Sequence, residues 1–358
     1  MSMLLTRDEF REQIFARDGH KCVICKKPAN AAHHIIDRSL FGESEGYFLD
    51  NGVSLCEQHH LEAEQTLISS EELRSKAKIT EVSLPEHFEL ENFESIESYD
   101  HWGNIILPTG MRIKGELFYQ ENVQKVLGQA GCLKSFLDYI KYPRTYHALW
   151  SPNVGRNDRV HSGDSMRKFL NRKLIVTIKF DGENSNLYPK YYHARSINSA
   201  HHESRSWIKS FHARIAHDIP KDWRLCGENM FAKHSIHYKH LKSYFYLFSV
   251  WNEKNTALSW KDTVEWANLL GIQTVPVMSF CFFGQINEME NYLENAFEDY
   301  CKYSPDECEG YVIRIADPIP YRDFRHYTAK VVRQGHVQTP ANWMAQAIVP
   351  NKVEIEEK

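Results

Sequence analysis

Two sets of residues in this 358-residue chain have the types and the spacing to do chemistry. One centres on Lys179, in the stretch RKLIVTIKFDGENSNLY from 172 to 188. Leu174, Val176 and Ile178 alternate with Ile175, Thr177 and Lys179 in the manner of a buried strand, and Asp181-Gly182 is a turn signal, so a lysine stands at a strand end. An amine that is to act as a nucleophile needs a desolvated or cation-rich setting that lowers its pKa, and a strand end facing a cleft can supply one. The other set is Cys22 and Cys25, followed after 30 intervening residues by Cys56 and His59 at the same spacing. Two such knuckles can close a tetrahedral site of three thiolates and one imidazole, a donor set that suits zinc.

Beyond Lys179 the chain carries ARS at 194 to 196, CGEN at 226 to 229, YFYLFSVW at 244 to 251, EGYVIRI at 309 to 315 and AKVVR at 329 to 333. In that order, and with KFDGEN in front, these motifs resemble the covalent nucleotidyltransferases, and in wording the ATP-dependent RNA ligases of the KxDGxN branch, over roughly 141 to 345. The resemblance implies that Lys179 takes AMP from ATP, with Asp181, Gly182, Asn184 and Arg195 in the nucleotide site near ribose or phosphate. It further implies that Glu228 accepts the ribose hydroxyls, Phe248 stacks on adenine, Glu309 binds the catalytic Mg2+ or Mn2+, and Lys330 neutralises the triphosphate. Arg205 is a further candidate for phosphate contact. Two positions depart from the family. Ile178 stands where relatives often have an acid that reads the adenine amino group, which leaves the base to main-chain groups. Val332 stands where relatives carry a second lysine, so either Arg333 substitutes or the triphosphate site is weaker.

Between the cysteine knuckles lie His33 and His34, then Asn51 in LDNGVSLC, and His60 directly follows His59. This arrangement resembles the HNH endonucleases, whose fold is the ββα-metal module. The resemblance implies that His33 and His60 bind a catalytic divalent metal, that His34 activates the attacking water, and that Asn51 orients the His34 loop. Such chemistry needs these types: a divalent ion polarises the phosphate and a neutral imidazole takes the water proton near pH 7. His59 replaces the cysteine of many relatives, and the acidic HHLEAEQ follows where a basic tail is usual, which repels DNA. An active nuclease, a zinc-stapled scaffold and a nucleic-acid adaptor are all compatible with the pattern.

The elements that must hold these groups are legible in outline. With 42% hydrophobic and 13% aromatic residues the chain can build cores, which excludes general disorder. The expected fold is α+β in three parts: an N-terminal ββα-metal (HNH) zinc module over 1–65, an acidic linker with a small α/β extension over 66–140, and a nucleotidyltransferase ligase domain of ATP-grasp-like antiparallel sheets with helices over 141–358. Expected helices open at Thr6, span Ser70 to Lys78, Val123 to Ile140 with interruptions at Gly128 and Gly131, and Ser206 to Ile219, follow the cap at Ser259 as far as Gly271, and run from Ile286 to Tyr300. Trp207, Phe211 and Ile215 are expected in the core. Turn signals stand at Gly103-Asn104 and at Pro108-Thr109-Gly110.

Net charge is -4, yet residues 141 to 250 hold 19 Lys and Arg against 8 Asp and Glu, whereas 62 to 100 hold 3 against 11. The basic block suits a polyanion partner, and the resemblance makes that partner RNA, as a nicked duplex or broken ends. The start MSMLLTRDEF lacks a secretion signal, and no apolar run approaches the ~20 residues of a membrane span, so a soluble cytoplasmic protein is expected, with thiols free or on metal. The expected activity is ATP-dependent joining of RNA 3′-hydroxyl and 5′-phosphate ends through lysyl-AMP. The alternatives are a DNA ligase, an HNH nuclease with a non-catalytic nucleotide-binding C-terminal domain, and a zinc-bearing adaptor.

Overall fold

The computed structural model describes residues 4–354, except 86, 87, 89–97, 108, 157, 196, 198–201 and 336–346. Much of the acidic linker, the Pro108 turn position, Ser196 and the end of the ligase-like region therefore lie outside the described residues. The chain divides into two units, Met1–Ile140 and Lys141–Lys358. No helix among the described residues is long and apolar enough to cross a membrane.

In the first unit, helix α1 (Arg7–Arg17) opens on a reciprocal cap between Thr6 and Glu9 and buries Phe10, Ile14 and Phe15. Strand β1 (Ala31–His34) pairs antiparallel with β2 (Gly52–Leu55), and helix α2 (Glu57–Glu64) starts directly after Cys56. A Cβ on Gly52 would stand 1.8 Å from Ile14 Cδ1, so only glycine lets α1 lie this close to β2. Helix α3 (Ser70–Ala77) is capped by Ser69 and stopped by Lys78 in the left-handed conformation. Strands β3 (Ser98–Tyr99), β4 (Ile105–Ile106) and β5 (Arg112–Ile113) lead to α4 (Glu121–Gln129) and β6 (Phe136–Leu137), the four strands forming one small sheet.

The helix expected over 123 to 140 thus stops at Gln129. Gly131 takes φ +70, a 3-10 turn follows at Cys132–Ser135, and the chain returns as a strand. Ile36 and Leu40 share one core with Tyr99, Trp102, Leu117 and Phe136, so the segments on either side of residue 65 fold against each other.

The second unit holds two sheets. Its strands are β7 (Tyr146–His147), β8 (Leu174–Lys179), β9 (Glu183–Leu187), β10 (Tyr192–His193), β11 (Arg224–Asn229), β12 (Phe245–Trp251), β13 (Thr256–Ala257), β14 (Gln273–Thr274), β15 (Val277–Cys281), β16 (Gly310–Ile315), β17 (Ile319–Pro320) and β18 (Thr328–Val332). One sheet has the order β15-β8-β16-β18-β7; the other runs β10-β9-β11-β12-β13-β17, with β14 beside β12. All pairings are antiparallel except β18 with β7 and β12 with β14.

Helix α5 (Gly163–Arg167) is short. Helix α6 (Ser206–Ile215) sets Ile208, Phe211 and Ile215 against Leu187, Leu225, Phe245 and Leu247. Helix α7 (Trp260–Leu270) begins at Ser259, whose hydroxyl accepts from the Asp262 N–H, and ends at Gly271 with φ +64. Helix α8 (Ile286–Tyr303) buries Met289 and Leu293, and α9 (Phe324–Tyr327) leads into β18.

Candidate functional sites

Strand register builds the larger site. Lys179 lies opposite Gly310, Thr177 opposite Val312 and Ile175 opposite Arg314, while Val312 lies opposite Lys330 on the next strand. With a period of two, Thr177, Lys179, Val312, Arg314, Thr328 and Lys330 share the face that lines a cavity of about 760 Å³, and Val176, Ile313, Ala329 and Val331 fill the core on the other face. The opposite wall comes from the other sheet through Glu183, Asn184, Glu228 and Phe248. A β-bulge between Cys226 and Gly227 falls just before Glu228, the kind of irregularity that re-aims a side chain. Gly310 is required by close approach, since a Cβ there would stand 1.9 Å from the Val331 carbonyl oxygen.

Lys179 Nζ donates to Glu309 Oε2 at 2.6 Å, with Glu309 itself buried. Burial alone would depress the amine, but the carboxylates of Glu309, Glu228 and Asp181 raise it above its ordinary value. This corrects the expectation from sequence of a lowered pKa: without nucleotide, Lys179 is a protonated member of an ion pair. Glu228 is pushed up to about 8 by burial, with Glu309, Asp181 and Glu183 raising it further and Lys179 opposing them.

A consequence for stability follows. Glu228 keeps its proton in the folded state up to about pH 8, whereas in the unfolded chain it loses it near 4.5. The folded state then binds the extra proton, so stability falls as pH rises between those values. Glu228→Gln removes that loss. Its melting temperature relative to wild type is expected to climb between pH 5 and pH 8.5, by on the order of 5 °C for the second unit. A difference that stays flat across that range would refute the buried neutral carboxyl.

Of the other residues singled out in the sequence, Gly182, Asn184, Arg195 and Phe248 line the cavity, and Phe248 meets Tyr142 edge-on at 5.2 Å. Asp181 does not line it. Its Oδ2 accepts from the backbone N–H groups of Ser235 at 2.8 Å and Ile236 at 2.9 Å, so it anchors a neighbouring loop. Arg205 reaches the wall, but its Nε donates to both oxygens of Glu183 at 2.9 Å, so its guanidinium is engaged within the protein and is not held out for phosphate. Arg333 does not come to the cavity wall. It follows Lys330 by an odd number of residues, so alternation sends it to the other side, where Nη2 donates to Glu307. Of the two readings left by Val332, substitution by Arg333 loses its geometric basis.

Sequence reasoning missed Asp158, His147 and Tyr142. Asp158 Oδ1 accepts from Lys330 Nζ at 3.3 Å, and its Oδ2 is 3.2 Å from His147 Nε2. His147 and Lys330 together hold the Asp158 carboxyl well below the usual range despite partial burial. Burial and the nearby Lys179 lower the Lys330 amine, with Asp158 opposing. Asp158 sits in a loop with no motif around it, so its sequence gave no signal. Thr177 and Arg314, by contrast, could have been found by counting in twos from Lys179 and Val312.

The smaller site lies in the first unit. Cys22 Sγ is 3.3 Å and Cys56 Sγ 3.2 Å from His59 Nδ1, Cys25 Sγ is 3.7 Å from Cys56 Sγ, and all four donor atoms lie within 4.8 Å of one another. Zinc–sulfur bonds of about 2.3 Å in a tetrahedron would place sulfurs about 3.8 Å apart, so this donor set fits zinc. Burial would raise the Cys22 thiol, but the backbone N–H groups of Cys25, Cys56 and Ile24 bring it down to about 7, ready to serve as thiolate.

On β1, His33 and His34 point to opposite faces. His33 is buried against His60 and His101, and its Nε2 has no hydrogen-bond partner. His34 stacks on Phe10 with ring centres 4.4 Å apart, and burial lowers it to about 4, so it is neutral at pH 7 but a weak base. Asn51 is buried and ties down the loop after His34, accepting from Ile36 N–H at 2.9 Å and donating to Ile36 O at 3.0 Å and Gly46 O at 3.1 Å.

Residues 172–332, somewhat under half of the chain, match the family model for RNA ligase. Among solved structures the chain is similar to an archaeal ATP-dependent RNA ligase, at 12% identity and TM-score 0.38 over 54% of this chain and 48% of that one. It is also similar to a Naegleria gruberi RNA ligase with PPi, at 14% identity and TM-score 0.34 over 52% and 59%. The chain spans about half the length of these structures, and likeness at this level carries no argument about chemistry. No curated protein sequence matches significantly.

Proposed function

We propose that the chain is an ATP-dependent RNA ligase that works through lysyl-AMP on Lys179. The observation that carries this reading is the 2.6 Å contact between Lys179 Nζ, on the cavity wall beside Glu228, Phe248, Asn184 and Lys330, and Oε2 of the buried Glu309, within the stretch that matches the RNA ligase family. In the first step the Lys179 nitrogen attacks the α-phosphorus of ATP, a P–N bond forms, and the bond to pyrophosphate breaks. Glu309 is placed to accept the proton that Lys179 must lose beforehand.

In the second step an RNA 5′-phosphate oxygen displaces Lys179 from the adenylate and restores the amine. In the third the 3′-hydroxyl attacks that 5′-phosphate and AMP leaves. Phe248 supplies a flat face for the base and Glu228 a partner for the ribose hydroxyls. Lys330, held by Asp158, offers positive charge at the phosphate end. The facing carboxylates of Glu309 and Glu228 are hard donors that fit Mg2+ or Mn2+, which when bound would neutralise charge on the pyrophosphate.

The base is the least specified element. Ile178 contributes to the cavity lining but offers no side-chain polar group, and its N–H is engaged with Pro276 O at 2.9 Å. Wild-type protein incubated with α-labelled ATP and magnesium should carry the label through denaturing electrophoresis, and should then release it on addition of 5′-phosphorylated nicked RNA as a sealed product appears. Label that never becomes covalent would defeat the reading. Sealing of a DNA nick in preference to RNA would move the substrate to DNA.

A second reading concerns the first unit, as a zinc-held HNH-type module acting on nucleic acid. It is favoured by Asn51, whose bonds pin the loop after His34, and by the unpartnered His33 Nε2 beside His60. The weak basicity of His34 makes slow, metal-dependent nicking the expected activity, to be lost in His34→Ala without change in labelling of Lys179.

A further inference from the structure

Of the motifs in the first unit, His101-Trp102-Gly103-Asn104 has no role in either reading, yet the fold carries its histidine to a buried imidazole, His33, whose Nε2 lacks a partner. His101 is buried, and its ring stacks on His33 with centres 4.7 Å apart and planes inclined by 30°. His60 meets the same His33 ring edge-on at 5.0 Å. Three imidazoles from β1, α2 and the turn before β4 therefore converge.

The hydrogen bonds of His101 fix which nitrogen is available. Nδ1 lies 3.3 Å from the Ile35 carbonyl oxygen, which can only accept, so Nδ1 carries the proton and Nε2 keeps a lone pair. That lone pair stands 3.7 Å from Asp37 Oδ2. The carboxylate is held there by its other oxygen, which accepts from the Ser39 backbone N–H at 2.9 Å, and by the Asp37 N–H, which donates to the His101 carbonyl oxygen at 2.8 Å. Two acceptors thus face each other across a gap too long for a direct hydrogen bond, beside a buried His33 Nε2 with no partner. A cation between them satisfies all three.

We propose that His101 and Asp37 complete, with His33 and His60, a second divalent-metal site in the first unit, so that the segment beyond residue 65 supplies part of the metal's shell. The proposal rests on the reading of His33 and His60 as metal ligands and extends it to two residues outside that motif. Three imidazoles and one carboxylate select a first-row transition ion over magnesium. Among the described residues the thiol site alone has three or more such donor atoms within 4.8 Å of one another, so the proposed site requires the histidine rings to turn on binding.

The test adds Co2+ to the zinc-replete full-length protein and follows binding by visible absorption and calorimetry, with zinc content measured alongside. One cobalt per chain beyond the zinc is expected, without displacement of zinc. His33→Ala should abolish uptake, and His101→Ala and Asp37→Asn should each weaken it about 10- to 100-fold with zinc retained. His101→Phe keeps the stacked ring and the volume but removes the nitrogen, and it decides the matter where the alanine variant loses zinc or unfolds. If His101→Phe and Asp37→Asn bind cobalt as wild type does while His33→Ala does not, the extension is overturned and the motif ligands stand. If none of the variants alters uptake, or wild type takes up no cobalt, the ligand reading of His33 and His60 falls with it.

Discussion

Lys179→Ala should reduce covalent transfer of AMP from ATP by about 10⁵-fold or more, to background, because it removes the amine that attacks the α-phosphorus, and the other lysine on the wall, Lys330, is paired with Asp158 at the phosphate end. The substitution also removes the cation between Glu309 and Glu228, so loss of labelling by itself could come from a rearranged cleft. Lys179→Arg separates the two effects: it keeps a positive charge near Glu309, and a guanidinium does not give up its proton to become a nucleophile. The arginine variant should melt close to wild type and fail to label, whereas the alanine variant should fail to label and melt slightly lower. The third step does not use the amine. Both variants should therefore still join a pre-adenylated RNA 5′ end to a 3′-hydroxyl, within about tenfold of wild type if positioning by the rest of the cleft survives. Labelling of Lys179→Ala at the wild-type level would remove the nucleophile assignment. Loss of the third step in Lys179→Arg would show that the residue shapes the cleft as well as reacting.

How far such a site can be read from sequence depends on the range of the interactions that make it. Lys179 and Lys330 are legible because each falls on an alternating strand, and the alternation puts them on one face once the strands are paired, whereas Glu309 precedes β16 and its contact with Lys179 spans 130 positions. The same rule, applied strictly, would have excluded Arg333, which lies an odd number of residues from Lys330. The Lys179 pKa could not be read this way. It is set by Glu228 and Glu309, 49 and 130 positions further on, whose charge outweighs the effect of burial.

Arg205 was offered to phosphate on its type, and its engagement with Glu183 is a contact over 22 positions that no local pattern displays. In the first unit the cysteine knuckles needed only their spacing, whereas His101 reaches His33 from 68 positions away through a small sheet with two-residue strands, too short to leave a periodic signature. The break of α4 at Gln129 was written in Gly128 and Gly131, but propensity gives no sign that the chain beyond would return as a strand.

Cys56→Ala should release the zinc and unfold the first unit while leaving labelling of Lys179 intact. The first unit rests on short elements: β1 and β2 have four residues each, and α2 has eight. The core beneath them includes Cys22 itself, together with Val23, Ile35, Val53, Leu55 and Ala63. A core of that size supplies only a few kcal/mol, so the four ligands that join the first knuckle to the start of α2 carry a large part of the stability of this part of the unit, apart from the core around Trp102 and Phe136. Cys56 is the most exposed to this argument because it is both a ligand and the residue that opens α2, with no side-chain cap to replace it.

Purified wild type should contain about one zinc per chain at a site of this type. The variant should contain close to none and be cut by protease at concentrations that spare wild type, leaving a stable fragment beginning near Lys141. Every residue named on the cavity wall lies in the second unit, so that fragment should still take up label from ATP. Full zinc in Cys56→Ala, or an unchanged protease pattern, would remove the structural role assigned to the cluster. Loss of labelling in a stable fragment would show that the second unit needs the first for its chemistry.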